Sequence, residues 1–475
     1  MTQSSEKGRN NFIESFSDLL RLPRAFWIVI AAFVIDTSAY FGMLTLMTVY
    51  LSTDLHWGDE RAGVTVSVFT MLVTLFMLGV GSYAERFGLR RAILFALLLA
   101  FVGRILYSLA VGFGGTVWIT VAVLGSVIVV AMGEAILQPV CYSGIKQYTD
   151  QKTSSMGYGL IYALMNLGIV GIGTISAWLR PAVQDLKAAP AGAVDAGGVA
   201  HFFAGFSGSG VQAVNWACVA ITGLTLLGFL VLMNRRVEAQ KLRPDTAEQN
   251  SGKSTMPLGA RLKEFFTGGP FSNTRFIFFI FMLLPVRTLF AHQWLTMPQY
   301  ILRAYDKPVA DKMEWLVNWI NPAIICIGVP VATALTRHIN VYTMMIIGAL
   351  VSAAPSFLLC AGPSLTLLIT YFVVFSIGEA LWSARFLEYA SELAPPGRIA
   401  QYMGLASIPW LLAKGTTGLY SGIMLARYVP ENASPAQLHS GTMWFFYGCI
   451  AMMSPIGLWL ARKWVMKGLH PAKAT

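Results

Sequence analysis

Eight ionisable residues stand inside long apolar stretches of this 475-residue chain: Asp36, Arg104, Glu134, Arg287, Glu379, Arg385, Glu388 and Lys414. Each costs about 2.5–3.5 kcal/mol at the centre of a membrane helix even on the lenient insertion scale, so something must pair them or use them. Four acids and four bases nearly cancel, as they would if they paired around an interior cavity. The chemistry open to such a set is ion pairing, proton carriage and the anchoring of a charged solute. A lone carboxyl at mid-membrane is a reasonable proton carrier, because its neutral form is the cheaper one there. Asp36, which shares a helical face with Tyr40, is the first candidate. Glu134 and Gln138 lie one turn apart on a single face, where a cavity role and a helix-to-helix lock fit equally well. Glu379 has Ser383 one turn on, a polar face that points inward; the alternative is a structural pair with a nearby arginine. Arg385 and Glu388 are close enough along a helix to satisfy each other. Arg104, Arg287 and Lys414 are candidate counter-ions or solute anchors, and His292 reads as a hydrogen-bonded packing histidine before a coupling one.

The elements that position these residues follow from composition. Hydrophobic residues make up 56% of the chain and charged ones 12%, against about 25% charged in soluble domains. That deficit excludes most soluble enzymes, and the long apolar blocks exclude disordered and nucleic-acid-binding classes. A membrane helix needs about 20 mainly apolar residues. Twelve such blocks lie near 25–52, 62–84, 91–113, 116–142, 157–180, 211–234, 274–298, 314–336, 341–361, 365–392, 400–427 and 441–461. A charged run rich in Pro, Gly and Ser follows the sixth, dividing the chain into a first six-helix half (1–234), a linker (235–273) and a second half (274–475). The expected class is an all-α membrane protein. The outer loop over 181–210 is rich in Ala and Gly, and FIESFSDLLRL near 12–22 fits a short amphipathic helix or a plain juxtamembrane segment.

The net charge of +11 is a topology signal. Basic residues gather in the amino-terminal segment, around Arg86, Arg90 and Arg91, in the linker and in the tail, which places both termini in the cytoplasm of a multi-pass inner-membrane protein. No cleavable leader is expected. The five cysteines fall in apolar stretches without metal-ligand or paired spacing, and no P-loop is present, so no metal, cofactor or nucleotide is expected.

MGEAILQP at 132–139 and IGEALWSA at 377–384 share Gly-Glu-Ala at an offset that also aligns Gly159-Leu160 with Gly404-Leu405. Parallel repeats of six spans with a site at their interface are the design of the major facilitators. Between the second and third spans, GSYAERFGLRR resembles the loop motif of that superfamily, with Glu85 for the usual Asp. Gly81, Glu85, Arg86, Gly88, Arg90 and Arg91 would then latch helix ends and take part in gating.

Three further stretches resemble one family of major facilitators, the proton-dependent oligopeptide transporters. They are YGLIYALMNLG at 158–168, INPAIICIGVP at 320–330 and IGEALWSARFLEYASELAPPGRIAQYMG at 377–404, with YFGM at 40–43 beside them. The resemblance covers most of the chain. It implies the major facilitator fold and proton-coupled uptake of a peptide-like or zwitterionic solute. By matching position it implies that Glu379 holds the amino group, that Asn166 and Asn321 meet the backbone, and that Tyr40 and Tyr162 line the site. Two departures bear on coupling. The family's Glu-x-x-Glu-Arg of the first helix is Phe33-x-x-Asp36-Thr37, and its fourth-helix lysine is Gln138 before Pro139. Asp36, Arg104, Arg287 or Lys414 would have to substitute. The partners implied are a small-molecule or peptide substrate, protons and lipids, with no nucleic acid, and the expected state is a monomer. Export of amphipathic drugs or lipids is the alternative. A membrane enzyme or a sensor finds no nucleophile motif or catalytic domain in support.

Overall fold

The computed structural model describes residues 21–150, 153–190, 197–242, 273–336, 339–392, 405–406, 408–434 and 437–466, the side chains of 78–87, 154–155, 334, 384–385 and 387–392 excepted. The expected pairing of Arg385 with Glu388, the side chains of Gly81, Glu85 and Arg86, and most of the amphipathic and linker segments therefore lie outside the described residues.

The first half comprises α1 (Arg24–Val49), α2 (Gly58–Phe87), α3 (Leu89–Leu109), α4 (Thr116–Tyr148), α5 (Ser154–Ala188) and α6 (Gly210–Leu232). In the second half α7 runs in three consecutive pieces, Thr274–Met282, Leu284–Leu295 and Met297–Ala304, followed by α8 (Met313–Thr336) and α9 (Val341–Ala353). The bundle ends with α10 (Leu365–Glu392), α11 (Ile408–Tyr428) and α12 (Ser440–Leu460). Among the described residues, eleven helices are long and apolar enough to cross a membrane; α11, which carries Lys414, is the twelfth long helix and falls outside that set. Large apolar side chains such as Leu224, Val231, Ile327 and Leu460 face outward, as a lipid solvent requires.

Local chemistry explains the ends and breaks. The side chains of Ser209, Asn273 and Asn340 accept from backbone amides in the first turns of α6, α7 and α9. Gly88 joins α2 to α3 with φ at 79°, a conformation cheap only for glycine. The seventh span, expected as one helix, is interrupted at Leu283 and Thr296 because Pro285 and Pro298 cannot continue the ladder. The freed amide of buried Val286 donates to Ser454 Oγ of α12 at 2.9 Å, which repairs the break in a solvent that offers no water. The segment expected as an outer loop is partly helical: α5 continues to Ala188, and a short helix covers Gly197–Ala204.

The halves meet along α2 with α11 and α5 with α8. Contact there depends on small residues. A Cβ on Gly418 of α11 would lie 1.7 Å from Ser67 Oγ and 2.5 Å from Gly63 O of α2. One large apolar core joins the halves, taking in the part of the first half away from the termini and the whole depth of the second, whereas another, around Phe26, Ile93, Val140 and Tyr148, belongs to the first half alone. The two bundles are welded at one end of the molecule.

Candidate functional site

Between the halves, at mid-depth, lies a cavity of about 250 Å³. Thr37 and Tyr40 of α1, Thr70 and Thr74 of α2, and Glu134 and Gln138 of α4 line it from the first half. Trp294 of α7 and Trp410 and Lys414 of α11 line it from the second. Helical spacing puts Trp410 directly below Lys414, and the ammonium sits 5.2 Å from the Trp410 ring centroid.

Behind the first-half wall is a closed ionic cluster. Arg104 of α3 donates to Asp36 Oδ1 of α1 and to Glu134 Oε1 of α4, each at 2.6 Å, and also to the hydroxyl of Thr222 on α6. Thr222 donates in turn to Asp36 Oδ1 at 3.0 Å. Asp36 and Arg104 are buried, while Glu134 keeps 8% exposure where it reaches the cavity. One guanidinium faces two carboxylates, so the unprotonated cluster carries one net negative charge. Asp36 Oδ2 is buried with no donor among the described residues.

The second half arranges its ionisable groups differently. Glu379 of α10 accepts from Asn321 Nδ2 of α8 at 2.7 Å, and the same amide reaches Ser376 Oγ at 3.0 Å. Through Asn321 the carboxyl is tied to α8, the helix that packs on α5 of the first half. Arg287 is buried with its guanidinium 4.2 Å from the Phe386 ring centroid and 5.6 Å from that of Trp382. Among the described residues no carboxylate lies within ion-pair distance of Arg287 or Lys414, and no cation lies within that distance of Glu379. The first half thus gathers its mid-span charges around one arginine with one negative charge in excess, while Glu379, Arg287 and Lys414 stand without an ion pair among the described residues. Phe290 bridges the two regions, packing on Trp410, Phe375 and Trp382.

The remaining sequence candidates fall as follows. Tyr40 and Gln138 line the cavity; Glu379, Asn321 and Arg287 stand outside its described lining. Tyr162 is half-exposed, and Asn166, buried, donates its amide to the Tyr162 carbonyl at 2.9 Å. Arg90 of the loop motif donates to the Met233 carbonyl, and its backbone amide donates to Glu238 Oε1 at 3.1 Å, tying the α2–α3 turn to the start of the linker. His292 is fully buried, with Nδ1 2.7 Å from Thr296 Oγ1 and Nε2 3.1 Å from the Tyr420 hydroxyl.

Sequence reading missed the pairs that hold the halves together at the end away from the termini. Arg303 forms a bidentate pair with Asp59, 2.7 Å on both bonds, and donates to the Val429 carbonyl at 2.9 Å. Buried Arg180 pairs with buried Glu314 and donates to the Ala310 carbonyl at 2.7 Å. Exposed Lys307 adds Asp185 at 3.0 Å; hydrogen bonds to Asp311 and then Asp185 push its ammonium up from the ordinary value. Thr45 donates to Asn318 at 2.9 Å, and Gln299 donates to Ser52. A signal existed, since Asp59, Arg180, Arg303 and Glu314 sit at span ends, but their partners belong to other spans. Among the described residues, every hydrogen bond between the halves lies from the cavity to this end. Asp59→Asn should therefore weaken the closure. A cysteine placed at Gln299, in a background free of the five native cysteines, should react several-fold faster with a membrane-impermeant maleimide when Asp59 is changed. Unchanged labelling would remove Asp59–Arg303 from the closure.

Residues 2–180 match the profile of the Major Facilitator Superfamily. A search of curated proteins finds no match. Among solved structures, a mutant of the peptide transporter POT superposes with a TM-score of 0.68 at 16% identity, over 94% of this chain and 95% of that one. A POT family transporter in complex with 5-aminolevulinic acid gives 0.65 at 16% identity, over 93% and 97%. The nucleoside transporter NupG gives 0.64 at 12% identity, over 92% and 99%. With the cavity between its two bundles, the chain is a divergent membrane protein of the major facilitator fold that resembles the POT peptide transporters in structure.

Proposed function

We propose that this protein is a secondary transporter that moves a small peptide-like or zwitterionic solute by alternating access, in the direction of uptake and driven by protons. The observation that carries the reading is the cavity at mid-depth, lined by both halves and shut off at one end by Arg303–Asp59 and Arg180–Glu314. With both termini in the cytoplasm of the inner membrane, as the basic residues suggest, the closed end faces outward and the conformer is the one that exchanges solute with the cytoplasm. The halves rock as units of residues 1–234 and 274–475, with the linker between them.

The Asp36–Arg104–Glu134 cluster supports proton coupling without the family's usual first-helix pattern. A single proton between the two carboxyls makes the cluster neutral and supplies the donor that Asp36 Oδ2 lacks. Glu379, with Asn321 beside it and no base paired to it among the described residues, receives the solute's amino group; Tyr162, Asn166, Tyr40 and Gln138 frame the path. Arg287 and Arg385 are further groups from which the second half draws counter-charge, and the Gly81–Arg91 turn takes part in gating. Solved POT family structures in complex with 5-aminolevulinic acid and with a conjugated peptide suit a small amine-bearing solute. Export of amphipathic compounds is favoured by the aromatic walls of Phe33, Phe41, Trp294 and Trp410. A cavity of about 250 Å³ is nevertheless smaller than the usual 300–1,000 Å³ of drug-sized sites.

The test is uptake of labelled dialanine into proteoliposomes. An acid-outside gradient should raise the initial rate several-fold, with collapse by an uncoupler, and single amino acids should compete. Each proton crossing a potential of 100 mV gains about 2.3 kcal/mol, ample for accumulation. Gradient-independent flux of hydrophobic cations, with no dialanine uptake, would replace uptake by export.

A further inference from the structure

Two charged side chains reach the cavity, and among the described residues only Glu134 has an ion-pair partner. Glu134 is bound by Arg104, whereas Lys414 donates only to Thr74 Oγ1 at a long 3.4 Å. A buried ammonium without a counter-charge is costly, so whatever negative charge faces it across the cavity sets its energy. Among the described residues the one carboxylate in the lining of the same cavity is Glu134, whose cluster with Asp36 and Arg104 carries one net negative charge when unprotonated. Other titratable groups near the cluster are Tyr40 of α1, Cys141 of α4 and Cys218 of α6, none of them cationic. Helices α2 and α5 contribute threonine, valine and methionine to the lining, and no ionisable group.

Resting on the transporter reading above, we propose that Lys414 is the residue that binds the carboxylate of the solute, and that this anion replaces the cluster as the counter-charge of Lys414 when the cluster takes up a proton. The two events then favour each other. A proton without the anion leaves Lys414 unbalanced, and an anion without the proton sets two negative charges against one ammonium. By linkage, the proton tightens the anion site by the same factor by which the anion tightens the proton site. Trp410 and Trp294 flank the ammonium and exclude water from the pair. The solute class is a carboxylate-bearing molecule of amino-acid to dipeptide size, held by its acid end on α11 of the second half. The lysine lost from α4, where Gln138 stands, is thereby made good from the opposite wall.

The experiment uses the purified full-length protein and three probes: dialanine, N-acetyldialanine (acid end only) and dialanine amide (amine end only). Wild type should bind the two carboxylate-bearing probes, and more tightly on acidification within the range where the probe carboxylate stays ionised. Lys414→Met should lose about ten- to hundred-fold in affinity for both, the loss of one charge-assisted hydrogen bond, while Lys414→Arg retains most of it. An unliganded melting temperature at or above that of wild type establishes that the methionine variant is folded; Lys414→Gln serves if it does not purify. Binding of N-acetyldialanine to Lys414→Met as tight as to wild type overturns the anchor and leaves the transporter reading standing, since uptake is measured separately. Affinity that is flat or weaker on acidification overturns the coupling. A wild type that binds neither carboxylate-bearing probe overturns both the anchor and the zwitterion reading.

Discussion

Arg104→Met is expected to be the most destabilising single substitution in the first half. The change leaves Asp36 and Glu134 buried together without a counter-charge, and breaking a buried pair by removing one partner costs about 3–5 kcal/mol. Proton uptake by the carboxyls recovers part of that loss, so the variant should melt closer to wild type in acid than in neutral buffer. Removing the whole network should cost far less than removing its centre. The triple variant Asp36→Asn, Arg104→Met, Glu134→Gln leaves no charge to strand and should regain most of the melting temperature. Melting of the purified protein in detergent, with the triple variant beside the single one, decides the matter. A single variant as stable as wild type would mean that the cluster is not a closed ionic unit, and the proton site proposed for it would fall.

Glu379→Gln should reduce dialanine affinity by roughly thirty-fold or more while leaving the fold intact. Glutamine keeps the carbonyl oxygen that accepts from Asn321, so the α8–α10 contact survives. What it loses is the charge, and truncating one side of a buried hydrogen-bonded charge pair costs about 2–5 kcal/mol. The readout separates this from the effect expected at Lys414. Glu379→Gln should lose discrimination for the amine, so that dialanine binds no better than N-acetyldialanine, whereas the acid end is still read. Equal affinity in the variant and wild type, at equal melting temperature, would remove the amino-group role from Glu379.

These two acids occupy equivalent places in the repeated Gly-Glu-Ala segments, yet their surroundings differ. Glu134 meets an arginine from α3, while Glu379 meets an amide from α8. The repeat is legible in sequence because duplication preserves order along the chain. The difference is not, because it depends on what a neighbouring helix supplies. The same contrast separates Arg104 from Arg287. Both are buried guanidiniums in mid-span, but one finds two carboxylates and a threonine, the other the faces of Phe386 and Trp382.

Composition and hydropathy along the chain are enough for the class of the molecule, the approximate positions of its spans and the residues whose placement in lipid required a reason. Bilayer thickness fixes the length of an apolar helix, and the cost of a charge in hydrocarbon marks each exception to it. Pro285 and Pro298 interrupt the seventh span whereas Pro139, Pro181, Pro322, Pro330 and Pro455 stand inside continuous helices, so the presence of proline does not by itself tell where a span breaks. Which charges pair, which face the cavity and which end is closed depend on how the helices pack. Asp36, Arg104, Glu134 and Thr222 come from four helices, and Lys414 reaches the cavity because Gly418, one turn on, lets α11 lie against Ser67 of α2. Helix rotation and approach are set by the fit of small residues across an interface, and periodicity along one chain segment holds no record of that fit.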